Sequence, residues 1–127
     1  MRFLLDTHAF LWWMNDNKRL SDTVRFQIIA AEATFVSAAT AWEIATKFRL
    51  GKLPEAAAFA HELPARIEAV GFNELAVTVA HGQLAGELHG APADPFDRML
   101  IAQARLEGLT LISNEALFDM HGIDRLW

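Results

Sequence analysis

No cysteine occurs among the 127 residues, which excludes a disulfide framework and any zinc site built on thiolates. The five histidines show no H-E-x-x-H or related ligand spacing, so zinc chemistry is not expected. Positive charge is also scarce: 11 Lys and Arg against 16 Asp and Glu leave a formal net charge of -5. That sign is wrong for a broad electrostatic nucleic-acid binder, so any phosphate chemistry must be local or helped by metal cations. No apolar run approaches the roughly 18 residues of a membrane span. Arg2 with only three apolar residues before Asp6 does not make a signal peptide, and a cytoplasmic protein is expected. No Pro/Gly/Ser-rich linker interrupts a chain that is 53% hydrophobic, so residues 1–127 are read as one domain with a real core.

Apolar runs of strand length alternate with longer helical patterns. Phe3-Leu4-Leu5 reads as a short buried strand that ends at Asp6, and Leu11-Trp12-Trp13-Met14 as a first helix. "SDTVRFQIIAAEA" follows as a second helix with Ser21 as N-cap, and "TFVS" (34–37) as a strand. "AATAWEIATKFRLGK" has Trp42, Ile44, Ala45 and Phe48 on its apolar side and closes near Gly51. Residues 55–70 read as one amphipathic helix or as two short ones with Pro64 between them. "NELAVT" (73–78) reads as a strand, and "VAHGQLAGELH" as a helix weakened by Gly82 and Gly86. "DPFDRMLIAQARLEG" (94–108) is the clearest helix, with Pro95 at N1 and Gly108 at the C-cap. "LTLIS" (109–113) is a buried strand, "NEALFDM" a short helix, and "IDRLW" a last strand or tail. Strands apolar on both faces, alternating with helices, imply a mostly parallel sheet covered on each side.

In such sheets ligands collect at the carboxyl ends of the strands, and the acids fall there. Asp6 follows the first strand and Glu43 lies in the helix after the second. Asp94 and Asp97 open the helix leading into "LTLIS", and Glu115 follows that strand. Each also has a local explanation. Asp6 suits an N-cap, Thr40-x-x-Glu43 a capping box, Asp94 and Asp97 a helix start with Pro95, and Glu115 another helix start. The two readings differ in one respect: caps need not meet, whereas a site requires convergence. Carboxylates crowded together repel and take up protons unless cations neutralise them. Oxygen ligands with room for water suit Mg²⁺ or Mn²⁺, ions that polarise a phosphoryl oxygen and activate water for phosphodiester hydrolysis.

"LLDTHAFLWW", "VSAATAWEIATKFRLGKL", "DPFDRMLIAQARLEGLTLIS" and "GIDRLW" together resemble the PIN-domain nucleases, among them the VapC toxins of bacterial toxin–antitoxin pairs. The likeness spans nearly the whole chain in order. It implies a three-layer α/β/α fold with a mostly parallel sheet of about five strands and a Mg²⁺-dependent endoribonuclease. It also implies a homodimer and an antitoxin partner that blocks the site. On this resemblance Asp6 matches the acid after the first strand, Glu43 the acid of the "WEIA" helix and Asp97 the acid of the "D-x-x-x-I-A" helix. Asp94 belongs to the "DPFDR" variant as a helper. The family's fourth acid is usually Asp in a T-x-D pattern, where this chain has Ser113-Asn114-Glu115. The longer stem of Glu115 leaves the second metal position open.

Asp6 and Asp97 are therefore expected as the main Mg²⁺ ligands, with Glu43 orienting the attacking water. Thr7, Ser37, Lys47, Arg98, Ser113 and Asn114 are candidate RNA or phosphate contacts. For Thr7 and Ser37 the alternative is local capping, and for Lys47 it is an i,i+4 pair with Glu43. His8 packs, caps or assists. Trp12 and Trp13 stack on bases or lie in the core or a dimer seam. A phosphoacceptor receiver domain would need paired acids after the first strand and a lysine after a late one, and this sequence has neither. A PIN-like interaction module without useful catalysis remains as the alternative.

Overall fold

Successive side chains of a strand point to opposite faces, so three consecutive apolar residues can all be buried only where both faces are covered. Phe3, Leu4 and Leu5 occupy such a place. The computed structural model describes residues Met1–Trp127 and contains five strands: β1 (Arg2–Leu5), β2 (Ala33–Ser37), β3 (Asn73–Leu75), β4 (Thr110–Ile112) and β5 (Arg125–Leu126). They form one parallel sheet in the order β3-β2-β1-β4-β5, with β1 at its centre. Helices α1 (Thr7–Met14), α2 (Asp22–Ala30), α3 (Ala38–Arg49), α4 (Leu63–Ala69), α5 (Val79–Glu87) and α6 (Pro95–Glu107) cover its two sides. Phe3 and Leu5 join a core with Phe10 of α1, Ile28 of α2, Ile44 of α3 and Ile67 of α4. Leu4 joins a second core on the opposite face with Leu111, Leu100, Ile101, Ala104 and Phe118. The α/β/α layering expected from the sequence is the layering observed.

Register aligns the strand ends. Leu5 lies opposite Val36 on one side and Ile112 on the other, and the Asp6 amide donates to the Ile112 carbonyl at 3.0 Å. Residues 6, 37 and 113 therefore leave the sheet along a single edge. Gly108, in the left-handed region at φ 63°, closes α6 and turns the chain into β4.

Several local expectations are corrected. The first helix extends beyond the Leu11–Met14 run to begin at Thr7, as the N-cap reading of Asp6 has it: the Asp6 carboxylate accepts from the Ala9 amide at 2.7 Å. Pro64 lies inside the first turn of α4, where its missing N–H leaves no bond unmade, and the preceding Pro54–Ala56 turn is 3₁₀. The strand read over 73–78 stops at Leu75, since Thr78 caps α5. The Thr40–Glu43 capping box does not form. Ser37 caps α3 through the Ala39 amide at 3.0 Å, which puts Thr40 inside the helix with its buried hydroxyl unpaired. The helix read in "NEALFDM" is a 3₁₀ segment, Ala116–His121.

Candidate active site

Asp6 stands at the end of the central strand and at the N-cap of α1, only 4% exposed. It is an N-cap, and it also has a place at the edge of the sheet where a site would lie. One carboxylate oxygen is the cap acceptor for Ala9, and the carboxylate also meets the Ser113 hydroxyl and lines a polar cleft of about 100 Å³. Burial pushes its pKa up to about 6. The bonds from Ser113 and Ala9 and the nearby His8 offset part of that rise, and Glu115 adds to it.

Glu43 reaches the same cleft from the second turn of α3 and is 7% exposed. The Thr7 hydroxyl donates to one of its oxygens and the Lys47 ammonium to the other. The i,i+4 pairing of Lys47 is thus present, and the Glu43 bond holds the Lys47 pKa above its ordinary value. Lys47 nonetheless lines the cleft and is the only Lys or Arg to do so.

The α6 start supplies two more acids. Asp94 caps the helix, one oxygen accepting from the Phe96 and Asp97 amides at 2.8 and 3.0 Å. Asp97, one turn inside, projects into the cleft. Its pKa is pushed up to about 7, first by burial and then by the negative charges of Asp94, Glu115, Glu43 and Asp6. Glu115 completes the wall from beyond β4. It sits at the start of the 3₁₀ segment without capping it. Five carboxylates from four separate stretches of chain thus face one small space with no apolar residue in its lining. The convergence that distinguishes a site from a set of caps is present.

The acids surround this space without closing on one point, and no three acidic or histidine side chains stand as a finished metal cage. The reason is visible in their bonds: Glu43 is tied to Thr7 and Lys47, Asp6 to Ala9 and Ser113, Asp94 to two helix amides. The donor set is oxygen only, and it suits a hard cation that keeps several waters and takes one or two carboxylates.

Four of the six candidate phosphate contacts, Ser37, Arg98, Ser113 and Asn114, are not among the residues lining the cleft. Ser37 is buried and occupied as the α3 cap. Arg98 spends four N–H groups on the carbonyls of Ala85, Gly86, Leu88 and Pro92. It ties the last turn of α5 and the segment that follows to α6 and is a clamp, which leaves it little for a phosphate. Ser113 is buried beside Asp6, where it positions the carboxylate, and its oxygen also accepts from the Glu115 amide at 3.0 Å. Trp13 packs in the core against Phe72, with the Arg25 guanidinium over it.

Sequence reasoning did not find a second, larger groove of about 290 Å³, lined by His8 and Glu115, which also line the carboxylate cleft, and by Trp12, Arg19, Asn17 and Asn114 among others. Three of its residues, Asn15, Asn17 and Arg19, come from the turn between α1 and α2, which has no periodicity to mark it. His8, Trp12, Asn114 and Glu115 each carried a signal in the sequence, but nothing there placed them in one groove, where His8 and Trp12 stack at 5.7 Å.

Comparison with known proteins agrees with this fold. A "tRNA(fMet)-specific endonuclease VapC" from Shigella flexneri is 29% identical over 117 residues, covering 90% of this chain and 86% of that one. Among solved structures, VapBC2 from Rickettsia felis, bound to a DNA fragment from its promoter, superposes with a TM-score of 0.73 at 13% identity, covering 99% of this chain and 98% of that one. A toxin–antitoxin complex from Klebsiella pneumoniae gives 0.67 at 19% identity, covering 98% and 95%. The PIN domain family matches residues 3–121. The chain belongs to the PIN domain family.

Proposed function

We propose that this protein is a divalent-metal-dependent endoribonuclease and the toxin of a toxin–antitoxin pair, a single PIN domain over residues 1–127 acting in the cytoplasm. The observation that carries the reading is the gathering of Asp6, Glu43, Asp94, Asp97 and Glu115 around one polar cleft at the carboxyl edge of the sheet. Mg²⁺, or Mn²⁺, is the ion this oxygen set suits, and Asp6 and Asp97 are the residues assigned to hold it, with Asp94 and Glu115 supporting through water. When bound, the ion supplies positive charge to the phosphate and acidity to a coordinated water.

The chain's own groups do the rest. Thr7 and Lys47 fix the Glu43 carboxylate at the rim, where it orients a water for in-line attack on phosphorus and accepts its proton. Lys47 brings the cleft's one cationic side chain toward the incoming backbone. Ser113 and the Ala9 amide hold Asp6 in one rotamer. The name of the Shigella flexneri relative supports RNA as the substrate, and the Klebsiella pneumoniae complex supports an antitoxin partner. A homodimer is the assembly we assign. The face that favours it holds Trp42, 65% exposed and set edge-on to Phe96 at 5.1 Å, with Ala39, Val77 and Met99 around them.

Asp97→Asn tests the reading. The expected result is RNA cleavage by the wild type in Mg²⁺, none in EDTA, and at least about a hundredfold slower cleavage by the variant, with circular dichroism unchanged. Cleavage at the wild-type rate by Asp97→Asn would reject the assignment and leave a PIN-fold interaction module.

A further inference from the structure

The groove next to the carboxylate cleft shares only His8 and Glu115 with it. Its lining is mostly polar, its aromatic element is the stacked His8–Trp12 pair, and the Arg19 guanidinium lies over the Trp12 ring at 5.9 Å. Arg19 and Asn114 are both exposed, and neither side chain has a hydrogen-bond or ion-pair partner within the chain. The groove borders the cleft through His8 and Glu115, so a chain whose phosphate sits among the acids carries its next nucleoside there. At about 290 Å³ it lies at the small end of ligand clefts, a space for one base and sugar rather than for a peptide helix.

Charge decides which part of a nucleotide enters. Glu55 and Glu115 flank the groove and repel a phosphate, but they can accept from the exocyclic amino group of a base, as acidic side chains do from cytosine. Stacked rings, a free guanidinium and a free amide complete the means by which unpaired bases are recognised.

We infer that this groove is a base-recognition subsite. The nucleotide flanking the cleaved bond is splayed out of an unpaired stretch of RNA, stacks against the His8–Trp12 pair and is hydrogen-bonded by Arg19 and Asn114. The acids make adenine and cytosine preferred over uracil. This rests on the nuclease reading for the place of the phosphate, and the test separates the two.

Fluorescein-labelled hexamers of riboadenylate, ribocytidylate and ribouridylate are titrated in Ca²⁺ by fluorescence anisotropy, and cleavage of the same hexamers is followed in Mg²⁺. Arg19→Ala and Asn114→Ala, both at exposed positions, are compared with wild type after melting curves verify folding. The expected result is at least about fivefold weaker binding of the adenosine and cytidine hexamers, loss of their advantage over uridine, and a raised KM with kcat within about twofold. If wild type cleaves and both variants keep its affinities and base order, the subsite is refuted while the nuclease reading stands. If wild type cleaves nothing, the nuclease reading fails, and the anisotropy alone decides. A base order lost in the variants then upholds the subsite, and its absence ends it. Variants that lose an antitoxin's grip but not the hexamers' would make the groove a protein contact and overturn the proposal.

Discussion

In the metal-free protein Asp6→Asn is expected to raise stability, although it removes a residue assigned to the active centre. Raising this carboxyl from 3.8 to about 6 corresponds to about 3 kcal/mol of folding free energy lost above pH 7, at about 1.4 kcal/mol per pH unit. Asparagine is as good an N-cap as aspartate, so the Ala9 amide keeps its acceptor, and the Ser113 hydroxyl can turn to accept from the new amide. Allowing for imperfect geometry, a gain of about 2 kcal/mol remains, or about 8 °C in melting temperature for a domain of this size. The pH dependence carries the sign. A carboxyl whose pKa is raised by folding contributes its stability in full below about pH 4 and loses it as the pH rises through about 6. The two proteins should therefore melt together near pH 4, and the variant should lead by the full margin at pH 8. Mg²⁺ should reverse the order, since a ligand at a hundred times its dissociation constant adds about 2.7 kcal/mol to the wild type and little to the variant. Scanning calorimetry across pH 4 to 8, in EDTA and in Mg²⁺, measures all of this. A variant that melts below wild type in EDTA at pH 8 would show that the acid cluster is not strained in the way proposed.

Other expectations follow from single contacts. Arg98→Ala removes the clamp on four carbonyls and should cost about 2 to 3 kcal/mol in urea unfolding. Arg98→Lys should recover little of it, because one ammonium cannot serve four acceptors in that plane; full rescue by lysine would refute the clamp. Thr40→Val replaces a buried hydroxyl that has no partner and should stabilise by about 1 kcal/mol, whereas a loss in the same assay would mean the hydroxyl is bonded after all. Trp42→Glu puts a charge on the exposed Trp42–Phe96 face and should yield a monomer by light scattering, with the wild type expected at the mass of a dimer. A variant that stays dimeric would move the interface elsewhere.

The layers were legible because β1, β4 and α6 carry strong patterns: apolar runs for strands buried on both sides, and Asp-Pro and Gly at the two ends of a 13-residue helix. What misled was chemistry shared between local and distant partners. Thr40 and Glu43 have the spacing of a capping box, yet Ser37 lies one turn earlier with the strand ending at it, and sheet register decided which hydroxyl caps. Arg98 stands next to Asp97 in sequence, but adjacent helix positions face about 100° apart, so one enters the cleft and the other reaches the α5 segment. For Asp6 the competing readings were not alternatives, since one carboxylate both starts α1 and faces the cleft. No pattern in one sequence foretold the turn carrying Arg19.

The position of β1 between β2 and β4 also bears on how the polypeptide leaves the ribosome. Strand β1 is the middle of the sheet, and one of its two partners, β4, lies more than a hundred residues further along the chain. While the nascent chain ends between Glu43 and Asp97, Asp6 and Glu43 have been made but their counterpart has not. The acidic cleft therefore cannot form until the α6 and β4 segments have been made and have paired with β1.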